Sequence, residues 1–372
     1  MEYLKEFGNH NTYDKSKLAP PPNVSFCKSE EHLHYSEENH YFPGLCFEAN
    51  VANSSLRIIK SGSTPSILTA TLEYKLNNEE WQHYTFGTYI NLTSKGDVVS
   101  FRGTNATFSS GAVGYYKFQM SGEINAGGDI TSLINGEGGD VLLPTSSFYG
   151  LFSGCTSLLT APSLPSTSGG NSVYNNMFAG CSNLIEPPKT IELKTINNYG
   201  CSEMFKGCSS LKETPLIKAT TVNQYGCNIM FENCSSLETA KDINVTSVSN
   251  RSFLWCFRNC TSLTKAPTTL PAKTLAVACY YGMFYNCSNL EVAPIIPALK
   301  AFGDSSFYQT FRNCTKLNYV KALFTIQINP SNATYEWLRS VSQTGTFIKS
   351  SNASWSTTGV DGVPLGWTIV YE

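Results

Sequence analysis

The chain has 372 residues, 41% of them hydrophobic, enough for about two or three domains with real cores, so a disordered polymer is excluded. Its 26 basic and 28 acidic side chains nearly cancel, and with 15% charged residues there is no broad field to attract nucleic acid. No uncharged apolar run approaches the ~20 residues of a bilayer span. The opening MEYLKEFGNHNTYDKSK has no apolar stretch behind a basic start, so neither a secretory leader nor membrane insertion is expected.

Residues 1–45 contain the cluster Pro20, Pro21 and Pro22 and almost no apolar periodicity before Val24, which predicts an arm. Residues 46–135 alternate in SILTATLEYKL, WQHYTFGTYINL, DVVSFRG and YYKFQMSGEI, between turns rich in Gly, Asn and Ser. That is the pattern of a small antiparallel β-domain of sandwich type. A glycine-rich joint follows over residues 127–140.

From residue 140 to 325 an internal repeat decides the fold. Cysteine recurs at Cys155, Cys181, Cys208, Cys234, Cys260, Cys287 and Cys314, at steps of 26 or 27 residues. Three residues before each stands Phe152, Phe178, Phe205, Phe231, Phe257, Phe284 or Phe311. Three residues after stands Leu158, Leu184, Leu211, Leu237, Leu263, Leu290 or Leu317. One such coil cannot bury its own apolar edge, but stacked coils align Phe on Phe, Cys on Cys and Leu on Leu into core columns. Gly or Asn before each cysteine, and Ser or Thr after it, predict a sharp bend there. The segments after the leucine, such as SLLTAPSLP and NLEVAPIIP, predict one short extended stretch per coil, interrupted at proline. The MFxGC side is expected to form a helical turn on the opposite face. The expected class is therefore an α+β repeat fold: N-terminal arm, small antiparallel β-domain, solenoid of seven repeats of 26–27 residues, and a C-terminal cap over residues 326–372, where Trp337, Trp355 and Trp367 cover the end.

The units MFAGCSNL, MFKGCSSL, MFENCSSL and MFYNCSNL resemble the BspA-like leucine-rich repeats of Bacteroidales surface proteins. The ending, LNYVKALFTIQINPSNATYEWLRSVSQTGTFIKS and then GVPLGWTIVYE, is similar to the terminal cap of such arrays in Bacteroides and their phages. The segment PPNVSFCKSEEHLHYS resembles short amino-terminal segments of Bacteroides phage and prophage structural proteins. These resemblances imply adhesion and binding, and they bring no catalytic residues. They suggest a non-enzymatic virion protein, a head or tail fibre or decoration, assembled in the host cytoplasm and exposed on the virion surface. Its arm would dock on other virion proteins through Asn23, Val24, Phe26, His32, His34 and Tyr35. A homo-oligomer, dimer or trimer, displaying the repeats to a host surface glycan or protein is the corresponding expectation. A bacterial cell-surface BspA-like adhesin is the alternative, and a glycan-degrading enzyme a more remote one.

No catalytic residue, metal ligand or cofactor is expected. Structural zinc needs four converging ligands, typically in Cys-x-x-Cys pairs, and none occurs. The thirteen cysteines are expected to be mainly free, buried thiols, with Cys201 and Cys227 filling a slot that holds aromatic rings in other repeats. Cys256 and Cys260, four apart, are read as core. His32, His34 and His40 with four glutamates around them form a His/carboxylate cluster, better read as one face of an extended segment than as a metal site. All five histidines precede the repeats, which excludes a histidine-based triad there. Glu186, Glu213, Glu238 and Glu291, interleaved with Lys212 and Lys265, form a polar row that keeps the solenoid soluble and is also the candidate ligand face. Trp255 and Tyr281 are candidates to stack on sugars.

Overall fold

The computed structural model describes residues 44–328 and 332–372. Its first part is built from two sheets, antiparallel throughout except where the larger takes a parallel strand from the first repeat. Strands β1 (Leu45–Ala49), β2 (Ser54–Ser61), β3 (Glu73–Leu76), β4 (Gln82–His83), β5 (Ile90–Leu92), β6 (Val98–Arg102), β7 (Tyr115–Ser121) and β8 (Ile124–Gly127) follow one another in the chain. A six-stranded sheet takes the order β4-β3-β6-β1-β8-β9, where β9 (Leu158–Thr160) comes from the first repeat; the smaller sheet runs β5-β2-β7. Alternation decides what lies between them: Leu56 and Ile58 of β2 turn inward with Phe47, Phe101 and Phe118, while Ser55 and Arg57 face outward. The apolar stretch WQHYTFGTYINL does not form one strand. Tyr84 turns into the core, and its hydroxyl accepts the Ile58 N–H and donates to the Thr88 carbonyl, so the run breaks into β4 and β5.

In the glycine-rich joint, α1 (Ser132–Asn135) makes one turn that ends on Gly136 at φ 82° and buries Leu133 and Ile134. It is the single α-helix among the described residues, none of whose helices is long and apolar enough to cross a membrane.

The repeats wind into a solenoid of about seven turns with almost no helix. Three rows of parallel pairing run along it. The first, five residues past each cysteine, includes the bridges Thr160 to Glu186, Glu213 to Thr239 and Thr239 to Lys265. The second joins β10 (Thr190–Ile191) to β12 (Leu216–Ile217), and the third joins β11 (Thr195–Ile196), β13 (Thr221–Val222) and β14 (Ser247–Val248). One extended stretch per coil was expected and three are found; prolines such as Pro187 and Pro188 turn the corner between the first and second rows.

The fourth side corrects the expected helical turn and the α part of the α+β class. Every fourth residue, at nine, five and one positions before the cysteine, is left-handed: in one coil these are Tyr199, Glu203 and Gly207, at φ 57°, 55° and 73°. Between them the N–H groups alternate. Those of Cys201, Glu203, Phe205 and Gly207 donate to carbonyls of the next coil, and those of Ser202, Met204 and Lys206 to the carbonyl three residues back. The result is a string of tandem turns stitched to its neighbours, and a right-handed helix cannot accommodate a left-handed residue at each fourth position.

The core columns follow the repeat. The seven phenylalanines stack at 5.2–5.5 Å with interplanar angles of 0–8°. All seven rings are buried, each burial contributing about 2–3 kcal/mol. Phe118 of β7 lies beneath Phe152 at 5.1 Å, so the β-domain supplies the first rung. Winding continues past the last cysteine: β15 (Tyr319–Ala322), β16 (Thr346–Lys349) and β17 (Thr368–Tyr371) pair in parallel. There the buried Trp337, Trp355 and Trp367 each give the indole N–H to a carbonyl, of Gly362, Phe324 and Ser342 respectively.

Candidate functional site

The cysteines are where chemistry was first to be sought, and their geometry makes them structural. Six repeat thiols donate to the carbonyl of the phenylalanine one coil earlier, and Cys155 donates to that of Phe118 in β7, all at 3.0–3.2 Å. That carbonyl also accepts the N–H of its own coil's cysteine, as Phe178 does from Cys181, so both of its lone pairs are used. Eleven described cysteines, Cys201, Cys227, Cys256 and Cys279 among them, are free and buried, whereas Cys46 is disulfide-bonded. Burial pushes the thiols of Cys155, Cys279 and Cys314 up to about 12, and the others rise for the same reason. A thiol held neutral this way is a poor nucleophile and metal ligand. Among the described residues, no group of three or more His, Cys, Asp or Glu side chains is placed to hold a metal ion.

Asn23, Val24, Phe26, His32, His34 and Tyr35, with the rest of the His/Glu cluster, lie outside the described residues. His83, on β4, lines an open cleft with Glu73 and Arg102, and those two pair at 2.7 Å.

The polar row sits along the first pairing row. Glu186, Lys212, Glu213, Glu238, Lys265 and Glu291 are all exposed, at positions four or five past the cysteine. Charges meet between coils: Lys212 reaches Glu238 at 3.1 Å, and Lys241 reaches Glu213 at 3.0 Å. Pairs this exposed contribute little to stability. Two of the four glutamates are thus engaged by lysine, a geometry that favours a solvated, charge-balanced edge.

A second surface, on the turn side of the later coils, is more distinctive. Six residues before the cysteine, Tyr281 and Tyr308 stack at 4.5 Å and 11°, and Tyr335 continues the stack at 4.9 Å from Tyr308. Trp255 abuts Tyr281 edge-on at 5.9 Å. Alongside, two residues before the cysteine, stand Arg258, Tyr285 and Arg312, with Arg339 in the same place on the following coil. The Arg258 guanidinium lies 4.8 Å from the Trp255 ring, and Arg258 and Arg312 flank Tyr285 at 6.0 and 5.9 Å. Their carboxylate partners are tucked inward: Glu232, 10% exposed, receives Arg258 at 3.4 Å, and Glu336, 8% exposed, receives Arg312 and Arg339. Burial, reinforced by Tyr308, pushes the Tyr281 phenol up, so it stays protonated.

This arrangement changes the role expected of the aromatic residues. The tyrosine faces are spent on one another, so the strip presents ring edges and guanidinium groups rather than flat platforms for sugars. Tyr281, Tyr308 and Tyr335 recur at intervals of 27 residues in one repeat slot, which is the signal that sequence reasoning missed.

The repeats also match a known family. The chain matches the family described as BspA type leucine rich repeat region, in six copies, over residues 149–264 and 230–336. No curated protein matches. Among solved structures, a leucine-rich repeat protein from Bacteroides ovatus is similar at 18% identity, covering 62% of this chain and 78% of its own, with a TM-score of 0.18. With half of its length matched by that repeat, on coils whose Phe, Cys and Leu columns are all in place, the chain belongs to the BspA-type leucine-rich repeat family.

Proposed function

We propose that the protein is a non-enzymatic structural protein of a phage virion, a head or tail fibre or decoration. It docks through residues 1–45 and displays the solenoid for recognition of a host surface or its glycans. The observation that carries the recognition half is the strip of partly exposed tyrosines and arginines set on the stacked coils. Tyr, Trp and Arg are the residues that dominate binding surfaces, and rings already locked by stacking lose little entropy when a ligand arrives. Support for the mounting half comes from the likeness of PPNVSFCKSEEHLHYS to phage structural segments. Mass spectrometry and imaging of purified particles test it: the protein is expected in multiple copies, and deleting residues 1–45 is expected to abolish incorporation while the solenoid remains folded. Incorporation that survives the deletion overturns the docking role. Native protein found in host outer-membrane fractions, without particles, favours the cell-surface adhesin instead.

A further inference from the structure

We infer that the strip formed by Tyr281, Tyr308, Tyr335, Arg258, Arg312 and Arg339 is a binding site for an acidic polysaccharide, a chain bearing carboxylates on its sugars and lying along the solenoid axis. The inference rests on the recognition reading above and names its ligand class. Three observations carry it.

First, the groups that reach solvent are donors. Tyr335 and Arg339 are exposed, Tyr281, Tyr308, Arg258 and Arg312 are half-buried with the Arg312 Nε wholly covered, and the carboxylates that hold the arginines are withdrawn further still. Arg258, Arg312 and Arg339 are 35%, 26% and 48% exposed, against 10% and 8% for Glu232 and Glu336. An acceptor-rich, negatively charged ligand is the complement, and guanidinium groups grip carboxylates in a two-pronged fashion. Asp304 lies in a flanking row, and the Asp361 carboxylate is occupied by the Glu336 N–H.

Second, the donors repeat by translation. One coil step carries Tyr281 to Tyr308 and Tyr308 to Tyr335, with ring centroids 4.5 and 4.9 Å apart, and another carries Arg312 to Arg339. A polymer with one set of acceptors per sugar matches an array that repeats along a line, whereas a folded protein surface has no such translation. Third, ring edges rather than faces are offered, so the contact is made through hydroxyls and charge and is expected to weaken with salt.

The test is affinity electrophoresis and calorimetry of the full chain with polygalacturonate, using dextran as the uncharged sugar polymer and polyglutamate as the acidic peptide. Polygalacturonate is expected to bind more tightly than polyglutamate, and dextran not at all. The double variant Arg258→Gln/Arg339→Gln leaves Arg312 on Glu336 and Lys206 on Glu232. It is expected to weaken binding on the order of tenfold or more. The triple variant Tyr281→Phe/Tyr308→Phe/Tyr335→Phe keeps the ring stack and is expected to weaken it as well. Lys218→Gln/Lys300→Gln, which removes two exposed charges outside the strip, is expected to bind as the unaltered chain does, and melting curves check that every variant folds. Polyglutamate bound as tightly as polygalacturonate overturns the polysaccharide assignment, and unimpaired binding by the arginine variant overturns the site. Capsulated Bacteroides cells separate the two levels: cells bound but polygalacturonate ignored refutes the ligand class alone, while cells ignored as well refutes the recognition reading.

Discussion

Gly207 offers a direct test of the tandem-turn side, because its φ of 73° is left-handed and its position is open. A Cβ placed there meets only Gly180 backbone atoms, at 3.8 and 3.9 Å, which is ordinary contact. Gly207→Ala therefore perturbs backbone conformation and almost nothing else. Holding alanine in the left-handed region costs about 1–2 kcal/mol. Reduced freedom of the unfolded chain offsets part of this, by about 0.4–1 kcal/mol. The net loss is on the order of 1 kcal/mol, read as a lower urea midpoint at unchanged slope. Asparagine occupies the same slot at Asn233, Asn259, Asn286 and Asn313, with φ of 61–64° in all four, so Gly207→Asn should be close to neutral. The amides of Asn259 and Asn286 even donate to the asparagine one coil earlier, at 2.9 Å each. Equal destabilisation by alanine and asparagine would refute the reasoning, because it would point to bulk rather than to φ.

Three further outcomes are expected. The eleven buried thiols should resist a disulfide reagent in the native state and react together on unfolding; rapid labelling of several before unfolding would contradict the column. Because the folded chain holds those thiols above their ordinary range, their contribution to stability is complete below about pH 8.5 and should be lost as pH rises beyond it, measurable by urea titration from pH 7 to 10. Glu336 has the opposite sign. Burial pushes its carboxyl up, but hydrogen bonds from Arg339 and Gln309 and the charges of Arg312 and Arg339 outweigh it and hold the group below the usual range. Its contribution is present above the ordinary glutamate range and lost as pH falls through the folded value, and Glu336→Gln should flatten that acid limb. An unchanged limb in the variant would remove Glu336 from the account.

The columns were legible because the same three residues mark every coil, and their meaning as a stacked core needs only that one coil cannot cover itself. The turn side was misread for an equally physical reason. Phe148, Leu151, Phe152 and Cys155 fall at i, i+3, i+4 and i+7, the spacing of a helical stripe, yet turns that repeat every four residues bury the same set. Only the slot next to the cysteine advertises its left-handed backbone, through Gly or Asn. The slot four residues earlier holds Glu203, Ile229 and Trp255, and the one before that Tyr199, Tyr225 and Arg251, residues that give no warning of φ near 55°. The polar row was visible as charge, but its lysine and glutamate partners lie 26 or 28 residues apart, so their pairing emerges only once the coils are stacked.

The same stacking explains why the outer slots can vary between coils while the scaffold does not. Positions that point inward, such as Phe205, Cys208 and Leu211, meet their own kind above and below, so any exchange breaks a column on both sides. Positions six, five and two before the cysteine form no column of one residue type, and range from the buried Asn228 and Glu232 to the half-exposed Tyr308 and Arg312. There the earlier coils carry Asn175, Asn176 and Ala179, and the later ones Tyr308, Gln309 and Arg312. Pitch is set by the core and chemistry by the outer slots, so adding or exchanging a coil would shift the donor pattern by one step without altering the register of what lies beneath. Phe118 at one end and Trp337 at the other close the column with residues from outside the repeat, which leaves the number of coils between them as the free variable of the design.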